Sequence, residues 1–424
     1  MSISLRDARS VWHPYTRHFD SPKFPVITEA KGSFLHLDNG EKILDAISSW
    51  WVNLHGHSHP YLLAKLQEAA QEMQQVMFAG FTHPRAVELA EKIISLYGRG
   101  QAKAFYSDNG STSVEVALKM GFQYWLNLGK RKNKMIAFHG SYHGDTFGAM
   151  AVSSRSVFSE PFWPFLFEVE FISSPVKGQN NVLMELDKIY ALHGDEIAGV
   201  IFEPMVQGAG GMIIHDPELL NTVLAYVKER DGLIIADEVL TGFGRTGKLF
   251  GTHHFQVSPD IVCLSKGLTG GMLPLGLTLA TDEVFNAFNS SNLNKALLHG
   301  HSFTGNVLSI AVAIASLELL LTDETQEKIQ LISEGHGKFI AQSSHPLFKN
   351  VRKLGTILAM EIGNTNGNYS SLLKESLHEY FLKRAILLRP LGNTLYVLPP
   401  YSIKEDELKK IYDSILNLPQ EFKL

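Results

Sequence analysis

Between about residues 100 and 280, short apolar runs alternate with stretches whose apolar positions recur three and four residues apart. Short apolar runs bounded by turn residues read as buried strands, and the 3/4 spacing reads as amphipathic helix. The strands predicted in this way are Ala104–Tyr106, Met135–Phe138, Ala198–Phe202, Leu233–Ala236, Ile261–Leu264 and Leu277–Ala280. A helix is predicted from about Ser111 to Leu126, where Val114, Ala117, Leu118, Gly121 and Trp125 share one face. Another is predicted over Pro217–Arg230, with proline in its first turn and Asp216 as its cap. Strand–helix alternation of this kind predicts an α/β layer around a mainly parallel sheet.

After His299 the texture changes. Val307–Leu321 is strongly helical, and the last hundred or so residues read as a smaller α+β unit. The first fifty or so are short in pattern and poorly periodic, so they are expected to pack on that unit and on the mouth of the site. The expected organisation is therefore an N-terminal segment (1–55), a large domain (56–305) and a C-terminal small domain (306–424).

Composition narrows the function classes. The chain has 424 residues, 45% hydrophobic and 19% charged, with a formal net charge of -5. That balance argues against a nucleic-acid surface, so an anionic ligand must be held by helix ends and single basic residues. The single cysteine, Cys263, rules out an internal disulfide or a cysteine-based zinc site and reads as a buried strand residue. The opening residues lack the apolar core of a secretory signal. No segment reaches the roughly 18 uninterrupted apolar residues of a membrane helix. A cytoplasmic enzyme, without a membrane or nucleic-acid partner, is expected.

Three features stand at the carboxyl ends of predicted strands, where open α/β sheets bind ligands. Ser107-Asp108-Asn109-Gly110-Ser111-Thr112-Ser113 lies between a strand and a helix. Gly110 permits close backbone approach, and the helix start favours a phosphate, although a plain cap turn explains the same residues. Leu233–Ala236 ends in Asp237, whose carboxylate needs a partner; capping or metal ligation would supply one, and so would a cationic heterocycle. Ile261–Leu264 runs into Ser265-Lys266-Gly267, placing a lysine at the sheet's mouth as a candidate Schiff-base residue. Each feature is weak alone. Together they supply a phosphate anchor, a carboxylate for a pyridine nitrogen and an amine for an aldehyde, which are the needs of pyridoxal 5'-phosphate (PLP). Lys266 would also shuttle the proton at the substrate carbon.

With these residues in view, nearly the whole chain resembles the class III aminotransferases of fold type I. The segments that carry the resemblance are SDNGSTSVEVALKM, FHGSYHGDT, IFEPMVQGAGGM, LIIADEVLTGFGRTGKLF, SPDIVCLSKGLTGGMLPLG and HGHSFTGN. It implies that Gly110 and Ser111 hold the phosphate, that Tyr142 stacks on the cofactor ring, and that Asp237 pairs with the ring nitrogen. It further implies Lys266 as the covalent lysine, Gln207 near the ring hydroxyl, and a homodimer with shared sites. Gly300, His301 and Ser302 would then reach the phosphate held by the partner subunit. His301 departs from the proline of many members, which puts that one assignment in doubt.

A narrower resemblance, to the biotin-pathway branch of this family, rests on VWHPYT from Val11, ISSWWVNLHGH from Ile47 and LRPLGNTLYVLPPY from Leu388. It implies transamination of the keto acid 8-amino-7-oxononanoate to 7,8-diaminononanoate, with S-adenosylmethionine as the amino donor; some relatives take lysine. An apolar chain ending in a carboxylate needs an apolar wall and one cation, for which Tyr15, Trp50 and Arg389 are the candidates, with Tyr142, Lys266 and Gly300 also near substrate. The competing readings are a class III transaminase of ω-amino acids or diamines and a catalytically silent PLP-binding protein. His55, His57 and His59 alternate, but with no nearby carboxylate to complete a set no metal site is expected. Trp50 and Trp51, as neighbours on an extended segment, would face opposite ways, one inward and one into the pocket. Arg245 on its glycine-rich loop could hold architecture or touch substrate.

Overall fold

The computed structural model describes residues 2–19, 24–179, 181–363 and 372–421. Its centre is a seven-stranded sheet in the spatial order Gln101–Ser107, Gly276–Thr281, Ile261–Leu264, Leu233–Asp237, Ile197–Phe202, Lys134–Phe138, Val169–Ile172. Only Gly276–Thr281 runs antiparallel to its neighbours; the other pairings are parallel. Leu233–Asp237 lies in the middle, in register with Ile197–Phe202 on one side and Ile261–Leu264 on the other. The residues of all three strands are buried, as continuous apolar runs covered on both faces require.

The expected strands are present, each within a few residues of its predicted ends. Val169–Ile172 was not expected. It is an edge strand whose Val-Glu-Phe-Ile sequence is only half-buried, so it carries no continuous apolar run. The predicted helices appear as Gly110–Asn127, Pro217–Lys228 and Val307–Leu320. Gly121 lets the first of them sit low on the sheet: a Cβ there would lie 2.9 Å from Met135 Cε. Val307–Leu320 is buried on nearly every side, packing against the helices Pro60–Glu72 and Pro84–Tyr97 and the turn that begins at Lys266. No helix among the described residues is long and apolar enough to cross a membrane.

The two ends of the chain meet. Strands Ile27–Lys31, Phe34–Leu37 and Lys42–Asp45 form a small sheet completed by Ile386–Leu387, which runs parallel to Lys42–Asp45. A second small sheet, Phe348–Leu354, Ile357–Ile362 and Thr394–Val397, packs against helix Asp323–Gln342, which in turn packs against helix Glu405–Leu416. Tyr15, Trp50 and Arg389, from distant parts of the sequence, come together, with Trp50 packed against both Tyr15 and Arg389.

Candidate active site

The carboxyl ends of the central strands open into a cavity of about 440 Å³. Gly110, Ser111, Tyr142, Asp237 and Lys266, all expected from the sequence, line it together. Trp51, His143 and Glu203 line it as well.

The helix Gly110–Asn127 starts at the cavity. Asn109 caps it, accepting from Thr112 N at 3.0 Å while Thr112 Oγ1 accepts from Asn109 N, a reciprocal capping box. That start leaves the first amides of the helix facing the cavity, the arrangement that favours a phosphate. Two glycines keep the cradle open. A Cβ on Gly110 would lie 2.8 Å from Val239 Cγ1, and one on Gly144 would lie 2.0 Å from Ser111 Oγ.

Asp237, 4% exposed, is held on both oxygens. One accepts from Val239 N at 3.1 Å, and the other lies 2.7 Å from His143 Nδ1. Burial alone would discourage a carboxylate here, so the two contacts fix its orientation toward the cavity. Lys266 follows strand Ile261–Leu264 at φ 45 and points its Nζ to 4.6 Å from the Trp51 ring centroid. Among the described residues it makes no hydrogen bond or ion pair. Burial pushes its pKa down to about 8, with Arg245 lowering it and Asp237 and Glu203 raising it. Glu203 accepts from the backbone of Tyr142 (3.0 Å) and Gly208 (2.8 Å), and burial raises its carboxyl to about 7. A free amine, a fixed carboxylate and an anion cradle around one cavity fit the groups of PLP.

At the mouth, Tyr15 and Trp50 pack with ring centroids 5.6 Å apart, and the Arg389 guanidinium lies 4.7 Å from the Trp50 centroid. The Tyr15 hydroxyl lies 3.5 Å from that of Tyr142 and donates to Asp145. Burial raises both phenols above their ordinary pKa, Tyr15 further through its bond to Asp145. Arg389 has no carboxylate partner among the described residues, although it is half-buried. The two tryptophans do not alternate across an extended segment. Ser48–Trp51 is a tight turn with φ 53, 61 and 66 at Ser48, Ser49 and Trp51, so Trp51 lines the cavity and Trp50 its rim. Left-handed backbone at non-glycine residues costs on the order of 1–2 kcal/mol each, so the surrounding structure must enforce this turn.

Other expected residues lie apart from the cavity lining. Gln207 is fully buried, donating to His139 O at 3.0 Å and accepting from Ser174 Oγ at 2.9 Å, which ties down the loop that carries Tyr142. Gly300, His301 and Ser302 lie on a surface loop, with His301 Nδ1 3.3 Å from Asp108 Oδ2. Arg245 is architectural: it is buried and donates to the carbonyls of Pro399 (2.9 Å), Asn53 (3.1 Å) and Trp51 (3.4 Å). Sequence reasoning missed His143 and Glu203 as cavity residues. Each sits next to a residue at a strand end or loop that was singled out, but its burial and partners follow only from the order of the strands in the sheet.

The comparisons with known proteins agree on a family. Residues 15–418 match the model of Aminotransferase class-III. The chain is 43% identical to the adenosylmethionine-8-amino-7-oxononanoate aminotransferase of Synechococcus elongatus, over 97% of this chain and 98% of that protein. The solved enzyme of the same name from Methanocaldococcus jannaschii superposes with a TM-score of 0.94 at 33% identity, covering 100% of this chain and 99% of the other. An amine transaminase from an uncultivated Pseudomonas species, solved with PLP bound, has a TM-score of 0.89 at 26% identity, covering 96% and 97%. By its full-length sequence match and the residues around its cavity, the chain belongs to the class III aminotransferases of fold type I, which are PLP-dependent enzymes.

Proposed function

We propose that this protein transfers an amino group to the ketone of 8-amino-7-oxononanoate, forming 7,8-diaminononanoate for biotin synthesis, with S-adenosylmethionine as donor. The observation that carries the acceptor is Arg389: a half-buried cation without a carboxylate partner among the described residues, lying over Trp50 beside Tyr15. A carboxylate-terminated chain meets its two needs there, since the aromatic rings cover the methylenes and the guanidinium can bind the carboxylate through two parallel hydrogen bonds. The names of the full-length relatives support the same substrate pair.

When bound, PLP supplies an electrophilic aldehyde and a ring that draws charge from the substrate carbon. Gly110 and Ser111 would hold its phosphate at the helix start. Asp237, oriented by His143, would keep the ring nitrogen protonated, and Tyr142 would cover the ring face. Lys266 would take the proton from the donor's carbon and later return one to the acceptor's carbon. A pKa near 8 suits that task, because both protonation states are then populated near neutral pH.

The reading includes a homodimer in which Gly300, His301 and Ser302 approach the partner's phosphate, and a cytoplasmic setting. Exposed apolar residues beside that loop support the dimer: Leu298 and Phe303 on it, and Met77 and Phe81 on the adjoining segment. The test of function is a comparison of acceptors under identical conditions. The reading predicts that 8-amino-7-oxononanoate is preferred over simple ω-aldehydes and pyruvate; equal or better use of the others would reject it.

A further inference from the structure

The alternating histidines of the His55-Gly56-His57-Ser58-His59 run do three separate jobs. His55 is buried with Nε2 3.1 Å from Ser316 Oγ, and His59 caps the helix Pro60–Glu72. His57 reaches back to Asp45. Its Nε2 lies 2.9 Å from Asp45 Oδ2, and its Nδ1 lies 2.9 Å from Asn53 Nδ2.

Asp45 is fully buried at the end of strand Lys42–Asp45, immediately before the strained turn that carries the two tryptophans. Its carboxylate accepts from Ile47 N (3.1 Å), just before that turn, and from Ser49 N (2.7 Å) and Ser49 Oγ (3.2 Å) within it. His57 supplies the fourth contact and is itself fixed by backbone bonds to Gly32, His57 N to Gly32 O at 2.7 Å and Gly32 N to His57 O at 3.0 Å. A buried carboxylate that organises a turn keeps its place only when its remaining lone pairs are satisfied.

We propose that Asp45 and His57 are positioning residues that hold the Ser48–Trp51 turn in its left-handed form and so set Trp50 and Trp51 against the cavity. Asp45 bonds the turn directly, and His57 anchors Asp45 to the strand behind it. Neither lines the cavity, so their loss acts on ligand binding through the tryptophans and leaves Gly110, Ser111, Tyr142 and Asp237 in place. The inference rests on the proposed acceptor only for the choice of substrate.

The test compares Asp45→Asn, His57→Gln and His57→Phe with the parent holoenzyme, in Trp50→Phe and Trp51→Phe backgrounds as well. The difference in acrylamide quenching between each background and its Asp45 or His57 variant reads the turn against the shared signal of Trp12, Trp125 and Trp163, and KM against kcat reads its effect on catalysis. Asp45→Asn and His57→Phe are expected to raise quenching of the remaining turn tryptophan and to raise the acceptor KM about tenfold, while kcat changes less than about twofold. His57→Gln, which retains a donor for Asp45, is expected to stay nearer the parent. Folded variants with parental quenching and KM would overturn the proposal. If Asp45→Asn fails to fold, the His57 pair decides, and identical behaviour of Gln and Phe overturns it. If the parent does not use 8-amino-7-oxononanoate, the functional reading fails while the quenching result still judges the role of Asp45 and His57.

Discussion

His143 Nδ1 lies 2.7 Å from Asp237 Oδ2, with both side chains buried, and His143 Nε2 has no hydrogen-bond partner among the described residues. The imidazole therefore serves Asp237 and little else. Replacing it with phenylalanine keeps the volume roughly constant and removes the one side-chain hydrogen bond of that carboxylate among the described residues. The expected result is a 10- to 100-fold fall in kcat, or about 1.4–2.8 kcal/mol of lost transition-state stabilisation, together with a shifted pH titration of the cofactor absorbance. Steady-state kinetics and absorbance titration check both. An unchanged titration would limit His143 to packing.

Arg389 is expected to act on the acceptor's carboxylate alone. Arg389→Ala should raise KM for 8-amino-7-oxononanoate by roughly 100-fold, the scale of a lost charge-assisted bidentate contact, and Arg389→Lys should restore only part of it. An acceptor lacking the terminal carboxylate should show no such difference between the parent and Arg389→Ala. Equal losses for both acceptors would assign Arg389 to packing on Trp50.

Lys266 gives a prediction with a definite sign. Its pKa is lowered by burial to about 8, and only the neutral amine attacks an aldehyde. The rate at which apoenzyme captures PLP should rise about tenfold per pH unit below pH 8 and level off above it. Stopped-flow absorbance measures this directly. Lys266→Ala should abolish both the lysine-bound cofactor absorbance and turnover; surviving turnover would contradict the proposed proton shuttle.

His215 offers a stability test away from the chemistry. Neither ring nitrogen has a hydrogen-bond partner among the described residues, and burial lowers its pKa to about 3. The folded protein thus excludes a proton that the unfolded chain accepts below about pH 6.5. Stability from this residue is full above pH 6.5 and is lost as pH falls toward 3. Glu203, raised to about 7, works in the opposite direction between about pH 4.5 and 7, so a difference measurement is required. Relative to parent, His215→Leu should gain about 1.4 kcal/mol per pH unit below 6.5 in denaturant-unfolding experiments. A difference that does not vary with pH would mean that His215 does not titrate on unfolding.

The parts of the site legible in the sequence were those in which a local pattern carries the chemistry. Asp237 and Lys266 each end a continuous apolar run, and Gly110-Ser111 begins a periodic helix, so strand ends and helix start could be placed without the fold. The edge strand Val169–Ile172 escaped because half-exposed positions blur the apolar run. The Ser48–Trp51 turn escaped for another reason. Its left-handed backbone occurs at serine and tryptophan, which give no glycine signal, and it is enforced by Asp45 and His57 through contacts that sequence spacing does not express. The same limit applied to His143 and Glu203, whose burial and partners depend on how the strands are ordered in the sheet.

Amino transfer to one particular keto acid can be followed in a single half-reaction. The purified protein, loaded with the amino form of the cofactor and freed of donor, is mixed with 8-amino-7-oxononanoate while its absorbance is followed. The spectrum is expected to convert to the lysine-bound aldehyde form, with one equivalent of 7,8-diaminononanoate released per site. A spectrum left unchanged by this keto acid, but converted by another acceptor, would contradict it.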